Sequence, residues 1–178
     1  LEERKGHALL FRALRYLDRD YRVLALGLSP GGERRARELA VAEGVDPEKL
    51  ICLGFIEDIA PYYRLMEVNI LPSFVEGMPR SIIEAMASGV PSIGSDIGGT
   101  NELITHGENG LLFPPGDHVE LGRQLSLLAA DRPLRERLGA AAARTARERL
   151  NIDRIAEATE KVYYEVLERR AKRARPST

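Results

Sequence analysis

Phe74-Val75-Glu76-Gly77-Met78-Pro79-Arg80-Ser81-Ile82-Ile83-Glu84-Ala85-Met86-Ala87-Ser88-Gly89 holds two glutamates separated by seven residues. Just before it, Val68-Asn69-Ile70-Leu71-Pro72 reads as a short buried strand closed by a proline. After Gly77 the pattern turns helical. Pro79 suits a first helical position, where its missing N–H would have been unpaired anyway. Ile82, Ile83, Met86 and Ala87 then make one apolar face at spacings of three and four. Arg80, Ser81, Glu84 and Ser88 take the other face, and Gly89 suits the position that closes the helix.

This strand–loop–helix carries chemistry. Glu76 falls in the loop at the carboxyl end of a strand, where open α/β sheets bind ligands. The helix start beside it offers N–H groups and a partial positive charge, which suit a phosphate. Helical side chains lean toward the N-terminus, so Glu84 in the second turn reaches back toward the same crevice. Two carboxylates beside an anion site are poor phosphate ligands but good acceptors for sugar hydroxyls. The set fits a molecule with hydroxyls at both ends and phosphates between them, a nucleotide sugar.

The stretch resembles the Glu-x7-Glu motif of retaining GT-B glycosyltransferases, family 4 in particular. The resemblance continues through Gly89-Val90-Pro91-Ser92-Ile93-Gly94-Ser95 and Gly98-Gly99-Thr100-Asn101-Glu102-Leu103-Ile104, and ends in Gly107-Glu108-Asn109-Gly110-Leu111-Leu112-Phe113-Pro114-Pro115-Gly116-Asp117. Upstream, Lys5-Gly6 and the apolar helix after it resemble the segment that carries the family's phosphate-binding lysine. From about Lys5 to Leu150 the chain follows the C-terminal, donor-binding half of such enzymes. Glu-x7-Glu alone is a weak pattern; the whole succession in this order is specific.

Length and composition set bounds. The 178 residues suffice for one domain with a full core. They are expected to form a core over residues 1–150 and a C-terminal helix with a basic tail over 151–178. A formal charge of −1 gives no bulk electrostatic case for nucleic acid. Cys52 is the single cysteine, so this chain closes no internal disulfide and builds no cysteine metal cluster, and it fits a reducing compartment. No apolar run approaches the ~18 residues of a membrane span, and no signal peptide is visible. The chain opens Leu1-Glu2-Glu3-Arg4-Lys5, without methionine and almost directly into a helix, and is expected to be a fragment of a larger protein.

Taken in order, Gly6 to Leu17 reads as a helix with Leu9, Leu10, Ala13, Leu14 and Leu17 inward. Asp18-Arg19-Asp20 is either an Asp-x-Asp metal site or, more plainly, a polar turn. Arg22–Gly27 is a strand, and Leu28-Ser29-Pro30-Gly31-Gly32 is either a loop facing the donor or an ordinary turn. Glu33–Gly44 is a surface helix and Leu50–Leu53 a strand. Phe55, just beyond, is either a core or rim aromatic or a stacking platform. Ile59–Met66 reads as a short helix, Val90–Gly94 as a strand, and Gly98–Ile104 as a short helix offering a second anion site. Gly110–Phe113 is the last strand. Helices follow from Asp117 to Ala130, Arg132 to Arg149 and Ile152 to Arg170, the last capped by Asn151 with Ile155, Ala158, Val162, Tyr163 and Val166 on one side. Strands alternating with helices predict an α/β fold with a doubly wound, mostly parallel, Rossmann-like sheet. Arg169, Arg170, Lys172, Arg173 and Arg175 make either a contact with anionic lipid or, more ordinarily, a solvated, frayed end.

The resemblance assigns roles. Lys5 and Glu76 are the catalytic candidates, Lys5 as the cation for the departing diphosphate and Glu76 as the acceptor for the donor sugar's hydroxyls. Gly77, Met78, Arg80 and Ser81 would supply phosphate contacts. Glu84 would accept both ribose hydroxyls; the plain alternative is an exposed Arg80–Glu84 pair at i, i+4, worth ~0.3–0.5 kcal/mol. The family often has Glu-Gly-Phe-Gly where this chain has Glu-Gly-Met-Pro, and Pro79 has no N–H to offer. What is implied is a hexosyl transfer from a nucleoside-diphosphate sugar to a glycan or lipid-linked acceptor, with no metal or other cofactor. The acceptor would be held by an N-terminal domain outside these residues, against which Tyr163, Tyr164 and Val166 of the last helix would pack. The setting implied is the cytoplasm or the inner membrane surface. A nucleotide-sugar epimerase-type enzyme and a non-catalytic nucleotide-sugar-binding module remain as alternatives.

Overall fold

The computed structural model describes residues 3–174. Five short strands alternate with helices: α1 His7–Leu14, β1 Val23–Ala25, α2 Gly32–Ala42, β2 Leu50–Cys52, α3 Ala60–Tyr63, β3 Asn69–Leu71, α4 Arg80–Ala87, β4 Ser92–Ser95, β5 Gly110–Phe113, α5 His118–Ala130, α6 Arg132–Arg149 and α7 Ile152–Ala174. Every ladder among them is parallel, β1 on β2 and β3-β4-β5. The expected α/β architecture is what forms, with strands shorter than the apolar runs suggested.

Register explains how the β3-β4-β5 sheet buries both faces. Ile70, Ile93 and Leu111 stand side by side, and all three pack in one cluster with Leu9, Leu14, Leu121 and Leu125 of α1 and α5. One residue on, Leu71, Gly94 and Leu112 are partners. Leu71 and Leu112 pack on the opposite cluster, with Ile82 and Met86 of α4 and Ala142 and Ala146 of α6. Side chains alternate across a strand, so one register places two core layers at once. Gly94 belongs there because a Cβ would lie 2.6 Å from Thr100 Cγ2. In α1, Phe11 is buried beyond the expected stripe, whereas Leu10 and Leu17 are half-buried.

Three local expectations are corrected. Pro79 is the N-cap of α4, in extended backbone (φ −75°, ψ 102°), and Arg80 is the first helical residue. The buried face of α4 is Ile82, Ala85 and Met86, while Ala87 is exposed. Gly98–Ile104 is a run of turns closed by bonds such as Asn101 N–H to Ile97 O, 3.1 Å, so the second helix-dipole anion site does not exist. The caps behave as read. Val90 N–H reaches Ala85 O and Gly89 N–H reaches Met86 O, the paired bonds of a Schellman end. Asn151 accepts from Asp153 N–H at the start of α7. α5 itself starts at His118, one residue after its expected start, with Asp117 as its cap through the N–H groups of Val119 and Glu120.

Residues 151–170 are exposed throughout, with Ile155, Val162, Tyr163 and Val166 each open to solvent. Arg169 and Arg170 are exposed on α7 and Lys172 and Arg173 fall in its last turn. Arg175 of the basic tail lies outside the described residues, as do Leu1 and Glu2 of the opening stretch. No helix among the described residues is long and apolar enough to cross a membrane.

The central strand makes a stability prediction. Ile93 is fully buried at the middle of the three-strand sheet. Ile93→Ala should cost ~2–5 kcal/mol and Ile93→Val ~0.5–1.5 kcal/mol in urea unfolding, because the truncation leaves a cavity that the sheet cannot close. Equal, sub-kcal losses for both would contradict the packing described.

Candidate functional site

Lys5 and Glu76 meet across 71 residues of sequence, Lys5 Nζ donating to Glu76 Oε1 at 2.7 Å. Two backbone contacts bring them together. Phe74 N–H donates to Arg4 O at 2.8 Å, so the start of the chain runs beside the segment leaving β3. Gly6, at φ 66°, sits so close to Pro72 that a Cβ would lie 2.0 Å from the Pro72 carbonyl oxygen. That is room for glycine alone. The loop carrying Glu76 is held from its other side by Gly99, at φ 79°, whose Cβ would lie 1.9 Å from Gly77 O. Glu76 is 12% exposed and Lys5 38%. The carboxylate is thus largely shielded and its cation is still open to solvent. An ammonium has three donors, so Lys5 can hold Glu76 and still address a ligand.

Glu84 sits in the second turn of α4, on a different pair of partners. Tyr63 Oη donates to Glu84 Oε2 at 3.1 Å, and Arg80 Nη2 approaches Oε1 at 3.4 Å. The Arg80–Glu84 surface pair therefore exists, but Arg80 is 88% exposed and the contact is long. Tyr63 is 3% exposed and packs with Ile59, Met66, Ala85 and Val90. Burial first, and the Glu84 charge second, push the Tyr63 phenol above its ordinary range, so it stays a donor. Sequence reasoning missed this tyrosine. The signal was present: Ile59, Tyr63 and Met66 are spaced by four and three, which turns Tyr63 inward, and a buried tyrosine hydroxyl needs a partner.

Glu84 and Arg80 line a cavity of about 400 Å³ together with Gly27, Phe55, Ile56, Glu57 and Ile59. Gly27 lies just past β1, Phe55 just past β2, and α4 follows β3. The cavity thus opens at the carboxyl ends of the strands, as ligand crevices of open α/β sheets do. Phe55 is on its rim, 89% exposed, and not in the core. A second cavity, about 560 Å³, adjoins it at Gly27 and Phe55 and is lined by Leu28, Ser29, Pro30 and Gly31. The small-residue loop therefore faces the crevice. Lys5 and Glu76 line neither cavity. Two places result, a cavity lined by Glu84 and, outside it, the Lys5–Glu76 pair.

Between them, Gly77 and Met78 are exposed in the loop, and Arg80 and Ser81 open α4. The first N–H groups of a helix have no acceptor inside it. Ile82 N–H turns back to Pro79 O, and the N–H groups of Arg80 and Ser81, which come before it, have no acceptor within α4. Asp18-Arg19-Asp20 precedes β1 and so lies at the other end of the strand from the crevice. Asp20 pairs with Arg22 and Lys49 there.

The family model for glycosyl transferases of group 1 matches residues 1–131. The chain belongs to the group 1 glycosyltransferases. It is 37% identical over 111 residues to a D-inositol 3-phosphate glycosyltransferase of Streptomyces bingchenggensis, covering 62% of this chain and 24% of that protein. It is 32% identical over 120 residues to the N-acetyl-alpha-D-glucosaminyl L-malate synthase of Bacillus anthracis, covering 67% and 32%. Its fold matches Anabaena HepE, solved in complex with UDP and glucose, with a TM-score of 0.84 at 25% identity, over 93% of this chain and 46% of that one. The chain spans between about a quarter and a half of these relatives, and its fold is that of the C-terminal half of GT-B enzymes.

The way Lys5 is held can be tested directly. Gly6→Ala should lower stability by ~1–3 kcal/mol, from the left-handed backbone it must keep and the Pro72 carbonyl it meets. Thermal unfolding reads this as a drop of several degrees. An unchanged melting temperature would contradict the close approach.

Proposed function

We propose that this chain is the donor-binding domain of a family 4 glycosyltransferase that transfers a hexose from a nucleoside-diphosphate sugar with retention and without a metal. The observation that carries the reading is the placement of two glutamates on either side of one helix start. One, Glu76, is bound to a half-exposed lysine; the other, Glu84, lines a cavity rimmed by an aromatic. A nucleoside diphosphate sugar has matching parts: a sugar at Glu76, phosphates at Lys5 and the start of α4, and a ribose and base at Glu84 and Phe55. The structural relative that binds UDP and glucose supports the ligand class. Retention and the family 4 assignment rest on the motif resemblance.

The chemistry follows from charge. When the bond between sugar and diphosphate breaks, negative charge collects on the departing phosphate, and fixed cations and N–H dipoles aimed there lower the barrier. Lys5 supplies the cation and the Gly77, Met78, Arg80 and Ser81 N–H groups supply the dipoles, so the reaction needs no metal to neutralise the leaving group. Pro79 adds no N–H; as N-cap it stands between the loop N–H groups of Gly77 and Met78 and those of Arg80 and Ser81 in the helix. Glu76 accepts from the sugar's hydroxyls and holds Lys5 in place. Glu84 accepts from the ribose. The acceptor, a glycan or lipid-linked sugar, is held by a further domain of the kind that makes up the rest of the relatives' length, and the exposed apolar side of α7 at Tyr163, Tyr164 and Val166 is a surface for it. The setting is the cytoplasm or the inner membrane face.

Removing Lys5 alone would leave Glu76 shielded and unpaired, so the informative variant is the double Lys5→Met/Glu76→Gln. In calorimetric titrations of UDP, GDP and ADP beside their nucleosides, the double variant should lose about tenfold or more for the diphosphate that binds. The nucleoside should bind as before, and the loss should shrink as salt rises. Equal losses for diphosphate and nucleoside would refute the phosphate role. The 178-residue chain alone should bind donor and transfer no sugar, because orientation of the second substrate is worth ~7–11 kcal/mol of barrier. Acceptor-dependent transfer by the purified chain would contradict the two-domain reading.

A further inference from the structure

We infer that Tyr63 is the positioning residue of the nucleoside site: its buried hydroxyl fixes the Glu84 carboxylate in the orientation that reads a ribose, and so sets the preference for ribonucleotides over deoxyribonucleotides. The inference rests on the ribose role of Glu84 proposed above, and deepens it.

The geometry carries the argument. Glu84 has three side-chain torsions and sits on a helix face that is partly open, with 30% of its side chain exposed. Left free, such a carboxylate samples many rotamers, and ordering it on binding costs affinity. The Tyr63 hydroxyl removes that freedom. It comes from a different element, α3, and its ring is clamped by Ile59, Met66, Ala85 and Val90. It engages Oε2 at 3.1 Å. Arg80 cannot do the same work, because it is a flexible, solvated side chain whose contact with Oε1 is 3.4 Å. The hydroxyl uses one of the lone-pair sites on Oε2. A carboxylate has about four, so the remaining ones, on both oxygens, stay available to two ribose hydroxyls. Ala85 lies next to Glu84 in sequence and shares the cluster with Tyr63, so the tyrosine is packed against the helix that carries Glu84.

Tyr63→Phe removes one oxygen from an otherwise apolar cluster, and the ring keeps its packing, so the variant folds. The test is calorimetry on the full 178-residue chain with the pairs UDP/dUDP, GDP/dGDP and ADP/dADP, in wild type, Tyr63→Phe, Glu84→Gln and the double variant. Wild type should prefer the ribose form of the base that binds by about tenfold. Glu84→Gln should abolish most of that preference. Tyr63→Phe should cut it at least threefold by weakening the ribonucleotide alone, leaving the deoxynucleotide unchanged. In the Glu84→Gln background, Tyr63→Phe should change the preference no further, since the tyrosine acts only through that carboxylate. A purely structural tyrosine would instead weaken both forms equally, and that result would overturn the inference. So would a Tyr63→Phe variant that keeps the full preference while Glu84→Gln loses it. A wild type that binds both forms equally, or a Glu84→Gln variant that retains the preference, would overturn the ribose reading of Glu84 itself and the inference with it.

Discussion

The approach of Gly6 to the Pro72 carbonyl is the constraint on which the site depends. It lets the first helix of the chain start against the end of β3, and the Phe74–Arg4 backbone bond extends that contact by two residues. Any side chain at position 6 would push α1 away from the sheet, and with it Lys5 away from Glu76. The same helix carries Leu9, Phe11 and Leu14 into the main core. Packing and site geometry are therefore set by one contact, made where a missing Cβ allows two backbones to touch. Gly99 repeats the device on the far side of the loop, against Gly77. Glu76 is thus carried by a loop braced from both sides.

The two glutamates are held by different physics. Glu76 is neutralised by a cation that remains half-exposed, so its partner can turn to a ligand without leaving it. Glu84 takes a bond from a neutral donor in the interior, beside a longer contact with the solvent-exposed Arg80. The first arrangement suits a place where charge changes during a reaction. The second suits a place that must recognise hydroxyls the same way each time. Seven residues of loop and helix separate the two environments, and the start of α4 lies between them.

Much of this was legible in the sequence. The parallel α/β fold followed from strands alternating with helices, because period-two and period-3.6 patterns cannot be exchanged. The caps at Gly89 and Asn151 were legible because each is a local bond between a residue and its near neighbours. What failed was decided by distant contacts. Ala85 and Ala87 are chemically alike, and only α3 packing through Tyr63 tells which is buried. The turn at Gly98–Ile104 looks helical by composition, but Gly99 is pinned to the Glu76–Gly77 backbone. The partnership of Tyr63 with Glu84 spans 21 residues and two elements, and spacing alone does not announce it. Lys5 was assigned by resemblance; the structure brings it to Glu76 through Gly6.

The central claim is that one nucleotide-sugar site lies along residues 74–84, with Lys5 on one side and Phe55 on the other. Hydrogen–deuterium exchange of the 178-residue chain, with and without saturating UDP-, GDP- or ADP-glucose, tests it most directly. The account predicts slowed exchange in peptides covering 74–84, 53–58 and 27–32 for the donor that binds, and no change across Asp18–Asp20 or along α7. Protection confined to other segments, or none with any of the donors, would contradict it.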